Sequence, residues 1–215
     1  MRHSPLLPLA AAMALALSGA PGGADGPPAR PNRKGEQAEP RAEPKPQPRP
    51  HGRRVSVDPG RIEIEDGDTV VVRWTRTDAE VVRILGIDAP ETRRLEHDIP
   101  YAQPFGPEAQ AFAQGAFATA TQVELLRAAI LDPYGRTLGY AFLNGHNYSV
   151  LAVRARLAEE SVSHYGDNGF PAEAAEVVAA AREAGLPPFE PPHLYRARMR
   201  DLARWMKERG LYPEQ

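Results

Sequence analysis

Hydrophobic and polar positions are arranged in three ways along the chain. Residues 6–17 are almost wholly apolar, broken only by Pro8. Residues 25–54 show no apolar period; nine of the chain's 23 prolines lie between Pro21 and Pro50, interleaved with Arg, Lys, Glu and Gln. Beyond residue 55 the pattern is that of a folded domain. Residues 61–65 alternate as Arg-Ile-Glu-Ile-Glu, Asp66-Gly67-Asp68 marks a turn, and 69–74 is rich in β-branched residues. A second turn at 77–79 leads into a third strand at 80–87, so the three strands predict a meander. Gly106-Pro107-Glu108 opens an alanine-rich helix over 107–121, with Ala109, Phe112, Ala113 and Ala116 on one face. Residues 122–126 and 137–145 return to strand, and helices are predicted at 148–158, 172–184 and 194–209. In the last helix Tyr195, Met199, Leu202 and Met206 form a core-facing stripe. Five short strands split by one helix, then more helices, predict a β-barrel plus α (α+β) fold. It would be a five-stranded barrel of the OB type with packed helices and a helical C-terminal extension.

Composition changes the picture at the two ends. Arg2 and His3, the apolar run and the small residues Gly22-Gly23-Ala24 read together as a signal peptide over 1–24. The run is too short to span a bilayer, which takes roughly 20 apolar residues. The mature protein is therefore expected to be exported, secreted or periplasmic, with no membrane span. Residues 25–54 read as a disordered, proline-rich linker or tether. The barrel domain is expected over 55–165 and the helical extension over 166–215.

The chain has 26 Lys+Arg and 28 Asp+Glu, a net charge of −2. That total hides a split of +4 in the linker and −7 from residue 55 onward, where Lys207 is the one lysine. A net-negative domain is not a general polyanion binder, so nucleic acid would have to be met locally, by a metal or a few arginines. With no cysteine, disulfide scaffolds, iron–sulfur clusters, cysteine zinc sites and thiol nucleophiles are excluded.

Four segments carry candidate chemistry. Asp66-Gly67-Asp68-Thr69 is a hairpin turn that also sets two carboxylates at a strand end, where a hard cation could sit. Arg83 lies in an otherwise apolar strand, followed by Asp88-Ala89-Pro90-Glu91. It either pairs with a carboxylate or faces an anion in a cleft. Ala89 precedes proline and is pushed to an extended conformation, which fixes its carbonyl. Asp132-Pro133-Tyr134-Gly135-Arg136 is a proline-led turn before a strand. The C-terminal helix carries Arg196, Arg198, Arg200, Arg204, Lys207 and Arg209, which read by default as a solvated basic face and otherwise as a nucleic-acid contact.

The combination says more than its parts. "DGDT" at 66–69, "RILGIDAPET" at 83–92, "FGPEA" at 105–109 and "DPYGRTLGYAFLNG" at 132–145 resemble, in order and spacing, the staphylococcal nuclease (thermonuclease) family. The resemblance covers roughly residues 60–158. It implies an OB-type barrel and calcium-dependent hydrolysis of DNA and RNA that leaves 3′-phosphates. It further implies that Asp68 and Asp88 are carboxylate ligands of Ca²⁺, with the backbone carbonyl of Ala89 a third ligand and Asp66 acting indirectly. Glu91 would activate a water, Arg83 and Arg136 would hold the scissile phosphate, and Tyr134 would lie beside a terminal phosphate. Tyr165 or His164 would stack on substrate. The sequence departs from the family at 93–103, which lacks lysine, and at 155–169, where Arg156, Glu159 and Glu160 replace small or aromatic residues.

The chemistry implied is coherent. Calcium takes carboxylate, carbonyl and water oxygens together. Two planar guanidiniums and a cation can meet the extra charge on the equatorial oxygens of a phosphodiester under attack. A neighbouring carboxylate can accept the proton of the attacking water. The leading expectation is an exported, monomeric nuclease acting on single-stranded or unpaired DNA or RNA. The alternatives are a non-catalytic OB-fold nucleic-acid-binding module and an envelope interaction protein with the proline-rich segment as its stalk.

Overall fold

The computed structural model describes residues 44–213. The expected signal peptide and most of the expected linker lie outside the described residues. The alternating and β-branched segments form β1 (Arg54–Val57), β2 (Ile62–Ile64), β3 (Thr69–Arg73), β4 (Ala79–Ile84) and a two-residue β5 (Ile87–Asp88). After α1 (Gly106–Ala118) come β6 (Val123–Leu131), β7 (Thr137–Leu143) and β8 (His146–Asn147). Then follow α2 (Tyr148–Arg154), β9 (Glu159–Glu160), α3 (Val162–Tyr165), α4 (Pro171–Ala184) and α5 (Pro192–Glu208). Proline stands in the first turn of α1, α4 and α5, where its missing N–H costs nothing.

The main sheet runs β1-β6-β7-β4-β3-β2, with β8 paired to β7. β2, β3 and β4 form the expected antiparallel meander, with Val70 opposite Val82 and Val71 opposite Val81. β4 and β7 are parallel. The two ends of this path, β1 and β2, are consecutive in the chain, joined by a 3₁₀ turn over Pro59–Arg61 whose entry is capped by Asp58. One stretch of backbone therefore ties both edges of a curled sheet together, which gives the OB-type α+β fold. Its core gathers Val70, Val82, Ile84, Leu125, Tyr140 and Phe142 from the sheet and packs them against Ala109, Ala152 and Val177 of α1, α2 and α4.

Two local outcomes differ from the sequence reading. The strand expected through residue 87 stops at Ile84. Gly86 takes φ 81°, and a Cβ there would lie 3.0 Å from the Tyr140 hydroxyl. The chain turns out of the sheet at this glycine and resumes as β5, which pairs with β9. The proline-rich linker expected to run to residue 54 is instead paired to the sheet from Lys45. Leu131 N–H donates to Lys45 O and Gln47 N–H to Ala129 O, both at 2.9 Å. In Pro44-Lys45-Pro46-Gln47-Pro48 the N–H groups fall at every second residue, and alternate positions are all an edge strand uses. Within β6, Arg127 is buried in a fork with Glu80, at 2.7 and 2.9 Å. Thr137 and Trp74 also donate to Glu80, so the buried pair is fully satisfied.

α5 packs elsewhere. Tyr195 and Met199 form a small separate core with Ile99, flanked by Leu202. The helix is thus seated on the loop that follows Glu91 rather than on the barrel. Tyr195 donates to Tyr101 O at 3.0 Å, Lys207 pairs with Asp98 at 2.5 Å and Tyr212 donates to Leu95 O at 2.9 Å. No helix among the described residues is long and apolar enough to cross a membrane.

Candidate active site

The β2–β3 turn is built to face the chain that leaves β4. Asp68 N–H donates to Asp66 Oδ1 at 3.0 Å, closing a local Asx turn, and the buried Tyr148 hydroxyl donates to Gly67 O at 2.8 Å. Gly67 has no room for a side chain, since a Cβ would lie 2.6 Å from that of Ala89 and 3.0 Å from that of Ala109. This close approach brings Asp68 against the 88–91 segment, where Ala89 N–H donates to Asp68 Oδ2 at 2.6 Å. Ala89 is buried and meets the site through its amide.

Arg83 stands opposite Thr69 in the β3–β4 ladder. Its guanidinium bridges the two aspartates, pairing with Asp68 through Nη1 and with Asp88 Oδ1 through Nη2 at 2.9 Å. Glu91 is fixed through its backbone. Gln103, itself 1% exposed, donates its N–H to Glu91 O at 2.8 Å and accepts from Glu91 N–H at 3.2 Å. Gly106 lies beneath, where a Cβ would sit 2.2 Å from Glu91 O. The glycine that opens α1 is therefore required by the loop above it. At the neighbouring strand Asp132 organises the turn before β7, accepting from Tyr134 N–H at 2.9 Å, Arg136 N–H at 2.8 Å and Arg136 Nε at 2.7 Å.

These residues face one cavity of about 1010 Å³. Asp66, Asp68, Arg83, Asp88, Glu91 and Arg136 all line it, as do Tyr134 and Tyr165. Tyr134 is 85% exposed, with the Arg136 guanidinium 5.6 Å from its ring centre, and Tyr165 is 68% exposed. His164 does not line this cavity. It lies in a smaller adjoining pocket of about 180 Å³ with Glu159, His193, Tyr165 and one edge of Asp88.

Sequence reasoning passed over Arg94 and read Arg196 and Arg200 only as part of a basic helix face. Arg94 pairs with Asp66 at 3.1 Å. Arg196 of α5 grips Asp88 with both Nη atoms, at 3.0 and 2.8 Å, and reaches Glu91 Oε1 at 2.6 Å. Arg200, one turn further along α5, lines the same cavity. The solvated-face reading of α5 therefore fails at Arg196, whose side chain is 24% exposed. The four-residue spacing of Arg196 and Arg200 marked a common face. What that face covers depends on tertiary packing.

The charges respond to this arrangement. Burial works against the Asp88 charge, but the hydrogen bond from Arg196 and the fields of Arg83 and Arg196 outweigh it and hold the carboxyl below its usual range. At Glu91 burial wins: the carboxyl is pushed up despite Arg196, helped by the neighbouring charges of Asp66 and Asp88. Asp68, Asp88 and Glu91 offer the hard oxygen donors that calcium takes. The two aspartates reach adjacent nitrogens of one guanidinium, so they also lie within reach of a common ion. Among the described residues no three acidic or histidine side chains stand at metal-holding distances, and Arg83 and Arg196 occupy the oxygens of Asp88.

A family model described as staphylococcal nuclease homologue matches residues 81–186. The thermonuclease of Staphylococcus intermedius is 33% identical over 94 residues, which cover 43% of this chain and 53% of that protein. The chain thus spans about half the length of the curated relative it matches.

Proposed function

Through residues 81–186 the chain belongs to the staphylococcal nuclease family, and on that premise we propose that it is an exported, calcium-dependent nuclease. It hydrolyses phosphodiester bonds of single-stranded or unpaired DNA or RNA and leaves 3′-phosphates. The observation that carries this reading is the convergence of Arg83, Arg136, Asp68, Asp88 and Glu91 on one cavity, although they are up to 68 positions apart in sequence. Asp68 and Asp88 would hold the ion, which supplies positive charge beside the phosphate oxygens.

The chain's own residues do the rest. Arg83 on β4 and Arg136 just before β7 stand on neighbouring parallel strands and both line the cavity, so their planar donor edges can hold one phosphate together. Charge that builds on the equatorial oxygens during attack meets those donors without reorganisation. Glu91, with its affinity for protons raised by burial, takes the proton of the attacking water. The P–O5′ bond breaks as the new P–O bond forms, leaving a 3′-phosphate on one fragment and a 5′-hydroxyl on the other. The exposed Tyr134 and Tyr165 rings flank the cavity where neighbouring nucleotides would lie. All of these groups come from one chain, so a monomer suffices.

The test is cleavage of single-stranded DNA by the full chain across a calcium titration, with the product ends identified. Calcium-dependent hydrolysis with 3′-phosphate ends, lost in Glu91→Gln, is the expected result. Equal DNA binding by wild type and Glu91→Gln, with no cutting by either in millimolar calcium, would overturn it and leave a binding module.

A further inference from the structure

We propose that Arg196 is a built-in counter-cation for the carboxylates of the site, which calcium must displace, so that α5 sets how much calcium the protein requires. The inference rests on the metal-site reading above and concerns a helix that lies beyond the family-matched residues 81–186.

Both oxygens of Asp88 are taken by guanidinium nitrogens. Oδ1 receives Arg83 Nη2 at 2.9 Å and Arg196 Nη1 at 3.0 Å, while Oδ2 receives Arg196 Nη2 at 2.8 Å. The same Arg196 Nη1 lies 2.6 Å from Glu91 Oε1. Carboxylates this buried must have a charged or hydrogen-bonding partner, and Arg196 is that partner for two of them at once. A calcium ion bonds carboxylate oxygen at roughly 2.3–2.6 Å. On Asp88 Oδ2 it would occupy the space of Arg196 Nη2, so ion and guanidinium compete for that oxygen. Arg83 differs, because it is rooted in the barrel and has a phosphate to hold.

Displacing Arg196 need not undock α5. The helix is seated by Tyr195, Met199, Ala203 and Met206, a buried stripe that Arg196 borders without being part of it. Its tethers to the loop run through Tyr195 and Lys207. The Arg196 side chain is long and rotatable, so it can leave Asp88 while those contacts hold. Arg200 lines the cavity without touching Asp88 or Glu91 among the described residues, which makes it a control for general charge effects.

The experiment is calorimetric titration of calcium into the full chain as wild type, Arg196→Ala and Arg200→Ala. Arg196→Gln keeps most of the side-chain length and takes the test if the alanine variant loses its fold. Loss of a like charge this close should tighten calcium binding roughly tenfold or more in the Arg196 variants, and only slightly in Arg200→Ala. Thermal melting gives a second readout. Without calcium the Arg196 variant should melt below wild type, and with saturating calcium the gap should close. Equal or weaker calcium binding in the Arg196 variants, with wild type binding calcium, overturns this inference and leaves the metal-site reading standing. No calcium binding by any of the proteins up to about 10 mM, beyond the weak end of protein calcium sites, overturns both.

Discussion

The barrel and α5 both line the same cavity, and they are built differently. The barrel is one continuous core in which sheet residues such as Val82, Ile84 and Phe142 interlock with α1, α2 and α4. α5 rests on a core of Ile99, Tyr195 and Met199 with Leu202 at its edge. The barrel side fixes Asp68, Arg83, Asp88 and Arg136 through strand pairing, a glycine-enforced contact and the Asp132 turn. The α5 side contributes Arg196, held by its ionic contacts to Asp88 and Glu91. On the proposed reading, the groups that hold metal and phosphate stand on the large core, and the charge that moves stands on the small one.

The sharpest way to break that comparison is to alter one arginine on each side. Arg136→Lys replaces a planar fork by a point charge on the rigid wall. Turnover on single-stranded DNA should fall roughly 10²–10³-fold, with calcium affinity and melting temperature little changed. Initial rates and calcium titrations check this. Unchanged turnover would remove Arg136 from the phosphate and leave the barrel wall without its assigned role.

Stability should divide in the same way. Ile84→Ala in the barrel is expected to cost about 2–5 kcal/mol in urea unfolding. Met199→Ala should cost less than about 1 kcal/mol globally, because α5 can open as a local unit. Hydrogen exchange should show α5 amides losing protection in that variant while β6 and β7 amides keep theirs. Equal global losses would mean that helix and barrel unfold together.

Two glutamates sharpen the contrast through pH. At Glu80 burial opposes the charge, but the Arg127 fork and the Thr137 bond outweigh it and lower the pKa. Its contribution is present above the ordinary glutamate range and is lost as pH falls through the lowered value. The stability gap between wild type and Glu80→Gln should therefore narrow on acidification below about pH 4. Glu91 has the opposite sign. Its pKa is raised, so the folded state binds the extra proton and gains stability as pH falls toward the ordinary range. Glu91→Gln should flatten that part of the profile. Urea midpoints measured across acidic pH read both effects, and two profiles of the same sign would contradict these assignments.

Much of the barrel was legible because its signals are local. The β-branched runs of β3 and β4, the Asp-Gly turn between β2 and β3 and the proline-led starts of the helices each follow from neighbours in sequence. The site was legible where short segments carry it, as in Arg83 to Glu91. What could not be read depends on distant partners. Lys45 and Gln47 look like tether until the free edge of β6 is beside them. Gly86 looks like part of a strand until the Tyr140 hydroxyl stands against it. The burial of Arg127 depends on Glu80, 47 residues away, which takes it into the barrel. Arg196 looked solvated because its partners, Asp88 and Glu91, lie 108 and 105 residues earlier.

The most direct test of the central claim is a crystal structure of the full chain with calcium and a short DNA carrying a 3′-phosphate, the proposed product. The account predicts calcium at roughly 2.3–2.6 Å from oxygens of Asp68 and Asp88, the phosphate between Arg83 and Arg136, and Arg196 withdrawn from Asp88. Calcium and phosphate bound away from these side chains would contradict it.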